Sequence, residues 1–90
     1  MPTIAFTPAL RRFLRVSEAT EVAGATLRDA LAGAFAQQPA LRGYILDDQG
    51  ALRRHVNIYV NGRPVRDRAG LSDPVGADDA IYVVQALTGG

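Results

Sequence analysis

HVNIYVNGRPV, at residues 55–65, is the part of this 90-residue sequence that decides the fold. Apolar residues occupy every second position from 56 to 60, which is the pattern of a β-strand with one buried face. Asn61-Gly62 follows the strand and is the strongest short-range signal for a β-hairpin. A brief return strand is therefore predicted, and its Pro64 places it at the edge of a sheet because proline donates no backbone hydrogen bond.

The clearest helix is predicted at residues 25–39, ATLRDALAGAFAQQP. Thr26, followed three residues later by Asp29, resembles a capping box, and Pro39 is expected to end the helix. The following stretch, LRGYILDDQGALRR at residues 41–54, is interpreted as a connection with a turn at its DDQG sequence. One apolar stripe of the helix recurs at helical spacing and is predicted to pack into the core: Leu27, Ala30, Leu31, Ala34 and Phe35.

Three further stretches supply the remaining strands. TIAFT at residues 3–7 and EATEVAG at 18–24 predict an opening antiparallel pair, and AIYVVQA at 80–86 predicts the last strand after a loop at 71–79. This order predicts a two-layer α+β protein, because a single helix buries its stripe by packing across one face of a sheet. We therefore expect one β-grasp domain over residues 1–90, with a mixed sheet of four to five strands on one main helix.

The composition excludes several classes of function. The chain has no cysteine, which excludes disulfides, thiolate metal sites and cysteine nucleophiles. Ten arginines and no lysine stand against nine acidic residues, and the formal net charge of +1 gives no electrostatic case for nucleic-acid binding. No segment approaches the roughly 20 apolar residues of a membrane span, and no secretory leader is recognisable. We therefore expect a soluble cytoplasmic protein that binds neither nucleic acid nor membrane.

Residues able to perform catalysis or to bind metal are scarce. The single histidine, His55, is predicted to be a surface residue at the start of a strand, because no orienting partner and no second metal ligand lies near it in the sequence. Three arginine clusters are interpreted as solvated surface, with partner contacts as the alternative: Arg11-Arg12-Arg15, Arg53-Arg54 and Arg63-Arg66-Arg68. We expect a protein that is not itself an enzyme and holds no cofactor or metal.

The sequence ends VVQALTGG, at residues 83–90, where a predicted strand runs into two glycines. Glycine weakens a strand and adds nothing to stability, so Gly89 and Gly90 need another explanation. A carboxylate is a poor electrophile and must be activated before it reacts, typically by adenylation with ATP. Glycine would suit passage through the narrow channel of an activating enzyme, because its backbone adopts whatever conformation the channel imposes. The alternative is a frayed end without function.

Two blocks make the chain resemble a known family: RRHVNIYVNGRPVR at residues 53–66 and DDAIYVVQALTGG at residues 78–90. They are similar to the ubiquitin-like sulfur carriers, which include the small subunit of molybdopterin synthase and the thiamine-pathway carrier. The resemblance covers essentially the whole chain. It is greatest to the carrier that feeds a cysteine-forming enzyme.

The resemblance implies both the chemistry and the partners. A ubiquitin-activating-type enzyme would use ATP to adenylate the carboxyl group of Gly90, with Gly89, Thr88 and Leu87 threaded into its channel. A sulfur donor would then displace AMP and leave a thiocarboxylate at Gly90. A downstream acceptor enzyme, such as a cysteine synthase, would receive the sulfur.

Apolar side chains on the open face of the sheet are predicted to dock these partners. If Ile81 and Val83 face the helix, the period of two sends Tyr82 and Val84 to the open face, beside Tyr59 of the neighbouring strand. The solvated face of an antiparallel sheet is ordinarily polar. The three side chains Tyr59, Tyr82 and Val84 together therefore predict a docking surface.

The sequence leaves other functions open. Within the carrier class, the alternatives to cysteine biosynthesis are molybdopterin synthesis and a sulfur-containing secondary metabolite. A second class is a ubiquitin-like protein modifier that forms isopeptide bonds with lysines of target proteins, although this chain offers no lysine for chains on itself. A third is a β-grasp binding module whose glycines are incidental. A mass gain that matches replacement of oxygen by sulfur would favour a carrier, whereas conjugates on other proteins would favour a modifier.

Overall fold

The computed structural model of the protein describes residues 1–7 and 19–85. Five strands and two helices lie within these ranges. Their bounds are β1 (Thr3–Phe6), β2 (Ala19–Glu21), α1 (Leu27–Gln37), α2 (Ala40–Ile45), β3 (Val56–Val60), β4 (Arg63–Pro64) and β5 (Ala80–Gln85).

The strands form one mixed sheet in the order β2-β1-β5-β3-β4. β1 and β5 run parallel, whereas every other pair of neighbours is antiparallel. Ile4 lies opposite Ile81, and Val83 lies between Phe6 of β1 and Ile58 of β3, so buried side chains form continuous rows across three strands. The predicted mixed sheet and the edge position of β4 are both confirmed.

Helix α1 begins as its sequence predicts. The Thr26 hydroxyl oxygen accepts a hydrogen bond from the Asp29 N–H at 3.3 Å, which satisfies one of the free donors of the first turn. The loop after β4 satisfies another, because the Leu27 N–H donates to the carbonyl oxygen of Asp73 at 2.8 Å. The start of the helix is therefore fixed both by its own cap and by a distant loop.

A second helix, α2, occupies part of the stretch interpreted as a connection. Helix α1 ends at Gln37, and Pro39 precedes the first residue of α2 in helical conformation. Leu41 and Ile45, four residues apart, are both buried. Six residues are too few for periodicity to separate a helix from a loop with two apolar anchors. The prediction of a connection without regular structure was wrong for residues 40–45.

Both predicted turns are present. Asn61 and Gly62 have φ angles of 52° and 82°, and a type I′ hairpin turn needs positive values at both of these positions. In the turn at residues 47–50, the Asp47 carboxylate accepts from the Gln49 N–H at 2.8 Å. The β3–β4 hairpin therefore forms at the place that its sequence indicates.

One hydrophobic core lies between the two helices and the sheet. Phe35 packs against this core but is only partly buried, so the prediction that it is a core residue is confirmed for its contacts and wrong for its burial. Phe35 lies beside a cavity of about 90 Å³ between α1 and α2, which Arg28 and Arg42 also line. The buried side chains are Ile4, Phe6, Val22, Leu27, Ala30, Leu31, Ala34, Leu41, Ile45, Leu46, Leu52, Val56, Ile58, Leu71, Val75, Ile81 and Val83.

Candidate functional site

The face of the sheet that points away from the core carries the three side chains predicted to dock a partner. Tyr59 lies directly opposite Tyr82 across the β3–β5 pair, and Val84 is two residues further along β5. Tyr82 is 41% exposed, and Tyr59 and Val84 are partly exposed, whereas Ile81 and Val83 are buried. The predicted inward and outward assignment is confirmed. The role of this open face in docking stays a prediction.

The open face has the chemistry of a protein-binding surface. Tyr82 and Met1 are the large hydrophobic side chains that the described part of the chain leaves exposed. Tyrosine is enriched at protein interfaces because its ring buries a large area while its hydroxyl stays hydrated. Tyr59 and Tyr82, directly opposite each other, are of a residue type that is enriched in binding hot spots.

Strand β5 ends beside the start of β3, because Gln85 lies opposite Val56. The predicted tail residues follow β5 in the sequence but lie outside the described residues: Leu87, Thr88, Gly89 and Gly90. Gly90 is the fifth residue after Gln85. Because an extended chain spans at most roughly 3.3 to 3.6 Å per residue, the Gly90 carboxyl group lies within about 18 Å of the end of β5.

Arg68 continues the hydrogen bonding of the sheet near the start of β3. The Ile58 carbonyl oxygen accepts from the Val65 N–H at 2.8 Å, and the Val56 carbonyl, two residues earlier in β3, accepts from Arg68 Nη2 at 2.9 Å. Arg68 Nη1 also donates to Asn57 Oδ1 at 3.0 Å. The guanidinium group therefore occupies the side of β3 beyond the short β4 strand, and it reaches the open face through Asn57.

A turn beside Arg68 carries two more arginines. The Val56 N–H donates to the carbonyl oxygen of Arg53 at 3.0 Å, and Arg68 Nη2 donates to the same oxygen at 2.7 Å. Arg53 Nε in turn donates to the Gly43 carbonyl oxygen at 2.8 Å. Arg54, in this turn, is exposed. The interpretation of these arginines as solvated surface agrees with the exposure of Arg54, whereas Arg53 and Arg68 are partly exposed with guanidinium groups bound to oxygens of the chain. Arg11, Arg12 and Arg15 lie outside the described residues.

The opposite end of β3 is joined to the start of β5 by one side chain. Asn61 Oδ1 accepts from the Ala80 N–H at 2.9 Å, and Asn61 Nδ2 donates to Asp79 Oδ1 at 2.7 Å. The Gly76 N–H donates to the other carboxylate oxygen of Asp79 at 2.7 Å. The bond from Gly76 and then that from Asn61 lower the pKa of the Asp79 carboxyl below its ordinary value.

Asp67 organises the loop that leads from β4 to β5. Its carboxylate accepts from the Ser72 hydroxyl at 2.6 Å, from the Gly70 N–H at 2.9 Å and from the Ser72 N–H at 3.2 Å. The hydroxyl of Ser72 and then the N–H groups lower the pKa of the Asp67 carboxyl, because these donors favour its charged form. The contacts that hold the loop therefore favour the ionised form of Asp67.

Acid is expected to weaken the fold through these two carboxylates. A lowered pKa in the folded state means that the contribution of Asp67 and Asp79 to stability is complete above the ordinary aspartate pKa of about 3.9. That contribution is lost as the pH falls below about 3.9 and through the lower pKa of the folded state. Chemical denaturation between pH 6 and pH 2.5 should show a smaller acid-dependent loss in Asp67→Asn and Asp79→Asn. Asp78→Asn, at an exposed neighbouring position, is the control; an equal change in this variant would contradict the assignment.

No group of three or more His, Asp or Glu side chains within residues 1–7 and 19–85 could hold a metal ion. His55 is partly exposed immediately before β3, as predicted. A groove of about 470 Å³ near the β3–β4 turn is lined by Arg63 and Arg66 together with Asp73 and Asp79, so its charges are balanced. None of the helices in these ranges is both long enough and apolar enough to span a bilayer.

Comparison with solved structures defines the fold class of the protein. The chain has a TM-score of 0.85 and 24% identity to a chain of the BexX/CysO complex from Amycolatopsis orientalis, with all of both chains covered. It has a TM-score of 0.82 and 26% identity to CysO from Mycobacterium tuberculosis, over 97% of this chain and 100% of that one. The architecture is therefore the β-grasp, ubiquitin-like fold, as predicted.

The family follows from the sequence. Residues 6–90 match the model of the ThiS family, and the chain belongs to that family. It is 28% identical to sulfur carrier protein CysO of Mycobacterium tuberculosis over 90 residues, which are 98% of this chain and 97% of that protein. It is 33% identical to small archaeal modifier protein 3 of Haloferax volcanii over 66 residues, 73% of this chain and 71% of the modifier. The predicted resemblance to the ubiquitin-like sulfur carriers is confirmed.

Proposed function

We propose that the protein carries sulfur as a thiocarboxylate on Gly90. The observation that carries this proposal is membership in the ThiS family through a match that includes Gly89 and Gly90. Similarity to CysO over nearly the full length of both chains supports the same function. The protein is then the substrate of partner enzymes, and catalysis belongs to them.

The proposed chemistry consists of two displacement steps that both involve the carboxyl group of Gly90. A carboxylate oxygen of Gly90 attacks the α-phosphorus of ATP on a ubiquitin-activating-type enzyme, and pyrophosphate leaves. A sulfide supplied by the sulfur donor then attacks the carbonyl carbon of the acyl-adenylate, and AMP leaves with its bonding electrons. The product is a thiocarboxylate whose sulfur is nucleophilic and can be handed to an acceptor.

The position of β5 supports this role for the tail. Gly90 is five residues from the end of a strand in the middle of the sheet, so the tail has a rigid base and a reach of about 18 Å. Glycine at the last two positions allows close approach of the backbone to a channel wall. Leu87 and Thr88 are proposed to thread into the channel together with Gly89.

The test of the function is a direct measurement of mass. The full chain is incubated with an adenylating enzyme from its own organism, ATP and a sulfide source, and its intact mass is recorded. We expect a gain that matches replacement of one oxygen by sulfur and depends on ATP. An unchanged mass, with the enzyme active on a carrier of known function, would refute the proposal.

Docking on the open face is expected to depend on Val84, whereas its neighbour Val83 is expected to be needed for folding. Val84→Asp should weaken the complex with the adenylating enzyme and leave thermal unfolding nearly unchanged, because substitutions at surface positions usually stay within about 0.5 kcal/mol. Val83→Asp is the matched control, since it places the same charge in the core and should unfold the domain. Binding by calorimetry and unfolding by circular dichroism measure the two effects. If Val84→Asp binds as tightly as the wild type, the open face is not the docking surface.

The proposed destination of the sulfur is cysteine biosynthesis, supported by the similarity to CysO. A cysteine synthase-like enzyme would then accept the sulfur from the thiocarboxylate, and release of cysteine from the loaded carrier would test this step. Molybdopterin synthesis and a sulfur-containing secondary metabolite are the alternative destinations. Transfer to a large molybdopterin synthase subunit in place of the cysteine-forming enzyme would favour the first alternative.

A second candidate function is protein modification. The similarity to small archaeal modifier protein 3, at 33% identity, favours it. An adenylated Gly90 could react with a lysine amine of a target protein in place of sulfide, and AMP would leave in both cases. Expression of a tagged chain in its own organism distinguishes the two, because a modifier would produce covalent conjugates that survive denaturation and a carrier would not.

A further inference from the structure

Three arginines lie near one another at the end of the sheet where β3 begins and β5 finishes. Arg53 and Arg54 belong to the turn that leads into β3, and Arg68 binds the carbonyl oxygens of Arg53 and Val56. We call Arg53, Arg54 and Arg68 the basic cluster. Val56 pairs with Gln85, so the cluster borders the point at which the chain leaves β5 toward Gly90.

No carboxylate in the described part of the chain accepts a hydrogen bond from the basic cluster, and two of its side chains are held in place by uncharged acceptors. Every oxygen that accepts from the Arg53 or Arg68 guanidinium is uncharged: three main-chain carbonyl oxygens and the side-chain oxygen of Asn57. The nearest carboxylate in sequence, that of Asp67, is directed to Gly70 and Ser72. Within the described part of the chain the cluster is therefore a fixed, unneutralised positive surface. Such a surface binds an anionic partner at a low entropic cost, because its side chains are already ordered.

The basic cluster adjoins the open face. Arg68 Nη1 binds Asn57, and Asn57 lies opposite Val84, which is one of the predicted docking residues. A partner seated on the open face while it receives the tail would therefore meet the cluster at the same time. Arginine beside tyrosine and an aliphatic side chain is the composition in which binding energy is concentrated.

We propose that the basic cluster docks on a carboxylate-rich protein surface that borders the tail entrance of the adenylating enzyme. This inference rests on the proposed function and names the chemistry of the partner surface. We assign the cluster to the protein surface and not to the phosphates of bound ATP, because Gly90 is the fifth residue after Gln85 and an extended tail would carry its carboxyl group about 18 Å beyond β5. Aspartate and glutamate side chains at the mouth of the channel fit its position and its charge.

The test compares the same charge reversal at the two ends of β3. Arg54→Glu alters the cluster, and Arg63→Glu is the matched control; both side chains are exposed, and the ends of β3 are about 13 Å apart at 3.3 Å per residue. The association rate with the adenylating enzyme is measured by stopped flow at about 0.1 M and 1 M salt, where charges are screened over about 10 Å and 3 Å. We expect Arg54→Glu to slow association about tenfold at the lower salt, Arg63→Glu less than about twofold, and the difference to vanish at 1 M.

The result that would overturn the proposal is an equal rate for the two variants at the lower salt, or a difference that persists at 1 M. A second measurement separates this proposal from the proposed function. The full ¹⁵N-labelled chain is titrated with hexaglutamate, and amide shifts at residues 53–57 and 68 that exceed those at 63–66 support an acidic partner surface. Shifts centred on residues 63–66, or none, contradict it. A chain that binds hexaglutamate at the cluster but never gains sulfur refutes the carrier function alone.

Discussion

Deleting Gly90, or adding one residue after it, is expected to abolish thiocarboxylate formation and to leave the fold unchanged. Either change moves the carboxyl group by one residue, roughly 3.3 to 3.6 Å in an extended chain. Misplacement of a reacting group by about 1 Å can already cost on the order of a hundredfold in rate, so adenylation should fall by at least that factor. The wild type and both variants are compared by intact mass after incubation with the adenylating enzyme, ATP and sulfide.

Thermal unfolding of the same three proteins is the control. Gly90 lies five residues beyond β5, and terminal residues add little to stability unless they are packed, so the three melting curves should coincide. A variant that melts early would show that the loss of reaction has a structural cause. Equal conversion of the extended variant would show that Gly90 is not the reacting residue.

Leu31→Ala is expected to lower the free energy of unfolding by about 2 to 5 kcal/mol. Leu31 is 1% exposed in the middle of α1. Truncation to alanine removes apolar surface that folding would otherwise bury, and it leaves a cavity in the core. A domain of this size has a total stability of about 5 to 15 kcal/mol, so the variant loses a large share of it. Its melting temperature should fall by roughly 10 °C or more, because each kcal/mol corresponds to about 4 to 8 °C.

Phe35→Ala is the informative comparison for Leu31→Ala. Phe35 is larger, but it is only partly buried at the cavity between α1 and α2, and its remaining neighbours already border open space. Phe35→Ala should therefore be the milder of the two variants, although complete burial would make loss of a phenylalanine at least as costly. Denaturant unfolding of both proteins gives the order, and a greater loss in Phe35→Ala would place that side chain in the core.

The sheet could be predicted from the sequence because its signals are local. Alternation along β3 and β5 fixes which side chains point inward, and Asn61-Gly62 favours the type I′ turn that is typical of hairpins. The inward set that includes Ile58, Ile81 and Val83 is buried as the alternation requires. The open face followed from the same pattern, because residues next to inward positions must point outward.

The features that were not predicted depend on contacts between distant parts of the chain. Helix α2 has a single pair of apolar residues, Leu41 and Ile45, and that pair is equally compatible with a loop. The positions of Arg53 and Arg68 are set by main-chain carbonyl oxygens, which every residue possesses and which therefore leave no signal in the sequence. Phe35 lies on the predicted stripe, but the stripe alone does not show where the neighbouring helix stops covering it.

The central position of β5 has a consequence for how the protein is made. Thr3 near the start of the chain pairs with Ala80, so the middle of the sheet forms only after β5 has left the ribosome. A translation product that stops before Ala80 lacks the strand that joins β1 to β3, and it cannot present Tyr59 and Tyr82 side by side. If partner enzymes dock on the paired tyrosines, as we propose, they would ignore truncated chains, and folding would act as a check that synthesis has passed the strand that precedes Gly90.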